Sequence, residues 1–336
     1  MANFSSSSQP ARQGRKSISQ ASEFAGVYPA LFTPLLNDDP ARLRNTVDYG
    51  KAKAIIDDLI AAGVDGLVPV GTTGQSPTVS QRQHLDFIKF TVDYVDGRVP
   101  VIAGAGSNCT RESVDMIQAI VKENGELACL CVTGYYNNPP QEGLVLHYET
   151  LSRETGAKII IYNVPGRTSS YLEPDTLVHL SRDRNIIGLK QSVDFRTPGK
   201  MREDTREVLE KASSGEFSVV SGEDDSLPEI LDMGGKGIIT ASGNIPEAAK
   251  LFLGIMQAHR EGNGGEMARL QALTEPLVKA VFLRKNPVPL ATFFNSPLYL
   301  PLLQVRETKG GEEAHAKIME LLETAAPSLK KYHGHG

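Results

Sequence analysis

Short, nearly uninterrupted apolar runs alternate along this chain with longer stretches whose apolar residues recur every three or four positions. The runs are Val27 to Phe32, Gly66 to Val70, Val99 to Ala105, Ala128 to Thr133, Lys158 to Asn163, Ile186 to Lys190, Phe217 to Gly222 and Gly237 to Thr240. Between them lie helical patterns: Asn45 to Ala62 carries Ile55, Ile56, Leu59 and Ile60, and Arg111 to Asn124 carries Val114, Ile117 and Val121. The predicted elements are therefore eight strands separated by helices.

Strands that are apolar throughout, rather than alternating, belong to a sheet buried on both faces. Regular strand–helix alternation forces right-handed crossovers and parallel pairing. Eight such units close into a barrel. The rival is an open doubly wound sheet, but its dinucleotide fingerprint is missing after the first strand, where Thr33, Pro34 and Leu35 stand. After Thr240 no further strand is predicted, and 246–326 reads as helical segments punctuated by Pro276, Pro287, Pro289, Pro297 and Pro301. The expected fold class is α/β, a (β/α)8 TIM barrel with a C-terminal helical appendage. The expected divisions are a disordered tail over 1–25, the barrel over 26–243, the helical region over 244–328 and a loose tail over 329–336.

The N-terminal segment is rich in Ser, Gln and Arg and has no acidic residue before Glu23. Such a composition suits a disordered tail. It also suits a plastid-type transit peptide, although it is short for one. Net charge is -5, from 35 basic and 40 acidic side chains, which argues against a nucleic-acid partner. Cys109, Cys129 and Cys131 make no disulfide framework, so a reducing, cytoplasmic compartment is expected, with a plastid as the alternative. No apolar run approaches the roughly 18 residues of a membrane span.

Active sites of such barrels form at the C-terminal ends of the strands. Those ends offer Thr33, Gly71 to Gly74, Gly106 to Asn108, Tyr135 and Tyr136, Tyr162 with Asn163 and Arg167, Lys190, Gly222 and Glu223, and Thr240 with Ser242. Lys190 stands out, since it closes an apolar strand. Desolvation there favours the neutral amine, a nucleophile for a carbonyl carbon. The bland alternative is a lysine that snorkels to solvent or pairs with Glu223. Tyr162, Thr72 and Tyr136 supply hydroxyls for a proton relay around such an amine, though each alone is more often a packed tyrosine or a turn threonine. Arg167, in a Pro-Gly-Arg-Thr turn, suits a carboxylate held by two parallel hydrogen bonds, or is simply a surface arginine. The Gly-Thr-Thr-Gly turn lacks a P-loop lysine, so a nucleotide is not expected.

Val70-Gly71-Thr72-Thr73-Gly74, Thr133 with Tyr135-Tyr136-Asn137, the run Tyr162 to Thr168 and Ile187-Gly188-Leu189-Lys190 come in the order and strand context of a known family. Over about 26–325 the chain resembles the dihydrodipicolinate synthases, pyruvate-dependent class I aldolases related to N-acetylneuraminate lyase. The resemblance implies condensation of pyruvate with aspartate semialdehyde on the route to diaminopimelate and lysine. It implies a Schiff base on Lys190, proton transfer by Tyr162, Thr72 and Tyr136 with Tyr136 reaching into a neighbouring subunit, and Thr73 on the pyruvate carboxylate. Arg167 would take the carboxylate of the second substrate, with Gly222 and Ile239 shaping the pocket floor. No metal or organic cofactor is implied, and a homotetramer built from two dimers is.

Ser76, His84, Asn108, Glu112 and Tyr135 fall where many relatives bind inhibitory lysine. Glu112 also has a plain reading, as an acid in the first turn of a helix. The chain departs from the family at Gln75, Pro77, Gln81, Gly134 and Gln191-Ser192, and 193–215 is longer than usual. Two other readings remain: a Schiff-base aldolase or dehydratase for a sialic acid or keto-deoxy sugar acid, and a noncatalytic barrel. Arg167 speaks against the first, and the joint presence of Lys190, Tyr162, Thr72, Tyr136 and Arg167 against the second.

Overall fold

A computed structural model describes residues 17–212 and 215–334. Eight parallel strands are present: β1 (Gly26–Leu31), β2 (Val68–Pro69), β3 (Ile102–Gly104), β4 (Ala128–Val132), β5 (Ile159–Asn163), β6 (Ile186–Gln191), β7 (Ser218–Ser221) and β8 (Gly237–Thr240). They pair in the order β2-β1-β8-β7-β6-β5-β4-β3. A parallel bridge between Leu67 and Val101 joins the two ends of that order and closes the (β/α)8 barrel.

The uninterrupted apolar runs have a direct structural cause. Successive strand residues point to opposite sides of a sheet, and here both sides are dry. Tyr28, Ala30, Val68, Ile102, Ile160 and Ile239 fill the barrel interior. Their neighbours Val27, Leu31, Leu67, Ala103, Ile161 and Ile238 pack outward under the helices.

One irregularity decides which way Lys190 faces. The β5–β6 register runs Ile159 to Ile186 but then Ile160 to Gly188, so β6 carries one extra residue. Beyond this bulge Tyr162 lies opposite Lys190 and Asn163 opposite Gln191. Since a one-residue slip flips every side chain, the bulge turns Lys190 to the same interior side as Tyr162. Gly188 is needed at that point, because a Cβ there would lie 2.8 Å from the Phe24 ring and 2.6 Å from the Ser218 carbonyl.

Helix ends follow local chemistry. The Asp48 side chain accepts from the Lys51 amide at the start of the Tyr49–Ala62 helix, which ends on Gly63 at φ 94°. The helical pattern from Asn45 thus starts four residues late.

The expected tails differ from what is observed. Ile18, Ala21 and Phe24 are buried and plug the interior cluster, so 17–25 is not a loose tail. Residues 1–16, which carry most of the transit-peptide reading, lie outside the described residues. At the other end Leu329 is buried, Lys331 and Tyr332 both reach Asp58, and His333 bonds the Phe293 carbonyl at 3.0 Å. The helix Pro246–Arg260, expected in the appendage, packs on β1 and on the helices Tyr49–Ala62 and Leu227–Asp232, and so completes the barrel's outer ring. Among the described residues no helix is long and apolar enough to cross a membrane. The three cysteines are free, with Cys129 and Cys131 buried.

Candidate active site

The ends of β2, β5, β6 and β7 enclose a cavity of about 70 Å3, lined by Thr72, Thr73, Tyr162, Lys190, Gly222 and Glu223 among others. That is far below the size of a nucleotide or drug pocket and suits a small acid. Lys190 is 7% exposed, so it does not snorkel to solvent. Its Nζ stands 4.3 Å from the centroid of the Tyr162 ring, whose π face attracts a cation. The register described above accounts for this approach.

Gly222 makes room for the lysine. A Cβ there would lie 2.8 Å from Lys190 Cε and 1.9 Å from Ser192 Oγ. Ile239 does not reach the cavity and lies in the packed interior.

Val70 leads into the Gly-Thr-Thr-Gly turn at φ 52°, a costly conformation for a β-branched residue and one that recurs at functional sites. Thr73 is buried, and its hydroxyl accepts from Asn286 Nδ2 at 2.9 Å. The Asn286 carbonyl accepts from Arg167 at 3.4 Å. Asn286 therefore ties the appendage to both candidate carboxylate binders. No motif in the sequence points to Asn286 or to Phe282 on the cavity wall, and Ser192, also on that wall, stands out only as a departure from the family.

Tyr136 is not brought to this group. It is 94% exposed, in the left-handed region at φ 72°. Of the three candidate relay hydroxyls, those of Thr72 and Tyr162 belong to residues that line the cavity.

A second cavity of about 450 Å3 adjoins the first and shares Thr72, Tyr162 and Arg167 with it. Ser76, His84, Glu112 and Tyr135 line it, whereas Asn108 does not. Burial pushes His84 below its usual range, and its Nε2 bonds the Gly104 carbonyl at 2.7 Å. Glu112 accepts the Ser107 hydroxyl at 2.7 Å.

Two of the departures, Gln75 and Gln191, have local explanations. Gln75, fully buried, donates to the Thr33 carbonyl and accepts the Tyr299 amide, a pairing that an ionised glutamate lacks the donor to make. Gln191 accepts from Asn163 at 2.9 Å and donates to Thr205 at 3.0 Å, a dry, neutral clamp directly behind Tyr162 and Lys190. In the long segment after β6, Phe195 is buried and Arg196 bridges Asp194 and Asp225, joining this segment to the turn after β7.

A (β/α)8 barrel with a buried lysine at the end of its sixth strand is the architecture of the class I aldolase-type lyases. The chain belongs to the dihydrodipicolinate synthetase family, whose model matches residues 23–297. It is 37% identical over 271 residues to the 4-hydroxy-tetrahydrodipicolinate synthase of Nitratidesulfovibrio vulgaris, covering 80% of this chain and 87% of that protein. Identity to the enzyme of the same name from Methanocaldococcus jannaschii is 36% over 304 residues, with 88% and 96% covered. The crystal structure of dihydrodipicolinate synthase from Aquifex aeolicus superposes with a TM-score of 0.79 at 30% identity, covering 89% of this chain and 97% of that one. A dihydrodipicolinate synthase variant described as monomeric gives 0.80 at 30% identity, over 90% and 97%.

Proposed function

We propose that this protein condenses pyruvate with L-aspartate 4-semialdehyde, releasing 4-hydroxy-tetrahydrodipicolinate for diaminopimelate and lysine synthesis. The observation that carries this reading is the buried Lys190 over Tyr162, with Arg167 on the rim of the same cavity. Lys190 Nζ adds to the pyruvate ketone and loses water to give a protonated imine. Tyr162 and Thr72 move the protons, and Thr73 holds the pyruvate carboxylate. Loss of a methyl proton makes the enamine, whose carbon attacks the aldehyde while Arg167 holds the second carboxylate. The imine nitrogen is the electron sink, so neither metal nor organic cofactor takes part.

An assay coupled to consumption of the product tests the substrate pair. Turnover with aspartate semialdehyde is the expected result, and turnover confined to sialic or keto-deoxy sugar acids overturns it.

Tyr136 completes the relay of a second copy, and the assembly is a tetramer of two dimers. Its exposure and left-handed backbone support this reading, because a large aromatic held out in solvent gains from an interface. The larger cavity takes the product pathway's lysine, with its ammonium at Glu112. Sedimentation is expected to show a multimer, and lysine to slow turnover, an effect weakened in Glu112→Gln. A monomer with full activity removes the role of Tyr136, and lysine-independent rates remove the regulatory site.

A further inference from the structure

The second substrate proposed above brings an α-ammonium group beside its carboxylate, and this group must lose a proton before it can displace Lys190. The cavity already presents two basic side chains, Lys190 and Arg167, and Glu223 supplies the only carboxylate among its described lining residues. Ser221 fixes the backbone of Glu223 at both ends of one residue: its hydroxyl donates to the Glu223 carbonyl at 3.0 Å and accepts the Glu223 amide at 3.0 Å. The turn after β7 is thereby held, and Glu223 lines the same cavity wall as Lys190 on β6 and Arg167 after β5. We infer that Glu223 is a further catalytic residue, the base that receives the substrate ammonium and takes its proton for ring closure. This rests on the substrate reading above.

The step balances. Glu223 takes one proton from the ammonium, and the freed lone pair forms a C–N bond to the protonated imine carbon. A proton passes from the new ammonium centre to the lysine nitrogen, and the C–Nζ bond breaks with its electron pair leaving on Nζ while the ring nitrogen's lone pair forms the C=N bond of the protonated product imine. Glu223 then returns its proton to Nζ, restoring the charged lysine and its own carboxylate.

The surroundings poise the group for this task. Burial, together with Asp224 and Asp225 on the same turn, pushes Glu223 up to about 7, against the opposing pull of Lys190 and Arg167. Asp225 is engaged by Arg196, and Asp224 accepts the Ala241 and Ser242 amides, so neither is free to serve. A base near neutrality is the most effective at physiological pH.

Glu223→Gln tests the assignment against 4-oxobutanoate, an aldehyde acid of the same chain length that lacks the amine. Expected is a loss of turnover with aspartate semialdehyde of about 10^2-fold or more. The rise of kcat/KM through pH 7 is expected to disappear, and Glu223→Asp to restore part of both. Borohydride trapping of pyruvate on Lys190, and of its aldol adduct with 4-oxobutanoate, is expected at wild-type rates in both variants. Wild-type turnover with an intact acid limb in Glu223→Gln overturns the inference, as does an equal loss of the 4-oxobutanoate adduct. If instead the wild-type protein traps pyruvate but ignores aspartate semialdehyde, the substrate reading fails, and the inference fails with it.

Discussion

Lys190→Ala is expected to abolish borohydride-trapped incorporation of pyruvate and to lower turnover by on the order of 10^4-fold or more, the scale seen when a covalent nucleophile is removed. The effect is large because no other amine stands among the cavity's described lining residues: Arg167 cannot be deprotonated in a protein and adds no nucleophile. Fold and melting temperature are expected to change little. The substitution takes an amine out of a buried strand end, where among the described residues it has no carboxylate partner in an ion pair to leave unpaired. Peptide mapping of the reduced adduct in the wild-type protein checks the assignment. An adduct on another lysine, or one that persists in Lys190→Ala, overturns the mechanism.

The barrel was legible in the sequence because its physics is repetitive. Each strand must bury both faces, so each writes an apolar run, and the polar residue that ends the run marks the mouth. Lys190, Tyr162 and Thr72, which line the cavity, stand at or just after the ends of such runs. What makes Lys190 face Tyr162 was not legible, since it depends on an extra residue at Ile187–Gly188 relative to β5, and register is a property of two strands together.

Asn286 was missed for a similar reason. It sits among prolines in a helical region with no periodic tie to the barrel, yet it returns to the mouth and holds both Thr73 and Arg167. The N-terminal expectation differs over 17–25 because three apolar residues, Ile18, Ala21 and Phe24, join the barrel's interior cluster. Composition averages over a segment hide so small an anchor. The helix Pro246–Arg260 was placed in the appendage because no ninth strand follows it, although the last crossover of a closed barrel has none to lead to.

Arg167→Ala is the variant that separates the two halves of the reaction. Arg167 lies on the short turn Pro165–Thr168, exposed at the rim, and among the described residues its guanidinium makes one long bond, to the Asn286 carbonyl. Little of its hydrogen-bonding capacity is used by the protein, and the planar fork remains available to a carboxylate. Loss of one partner of a desolvated, hydrogen-bonded charge pair costs about 2–5 kcal/mol, or roughly 30-fold to several thousand-fold. We expect that loss to fall on kcat/KM for aspartate semialdehyde, while pyruvate trapping on Lys190 keeps its wild-type rate. Arg167→Lys is expected to recover only a small part, because an ammonium is a point charge and cannot match both carboxylate oxygens in one plane. The pattern distinguishes a substrate anchor from a structural arginine: a structural role would impair the trapping of pyruvate as well, since Thr73 shares Asn286 with Arg167. An unchanged kcat/KM for aspartate semialdehyde in Arg167→Ala removes the anchor, and with it the feature that sets this site apart from those built for sugar acids.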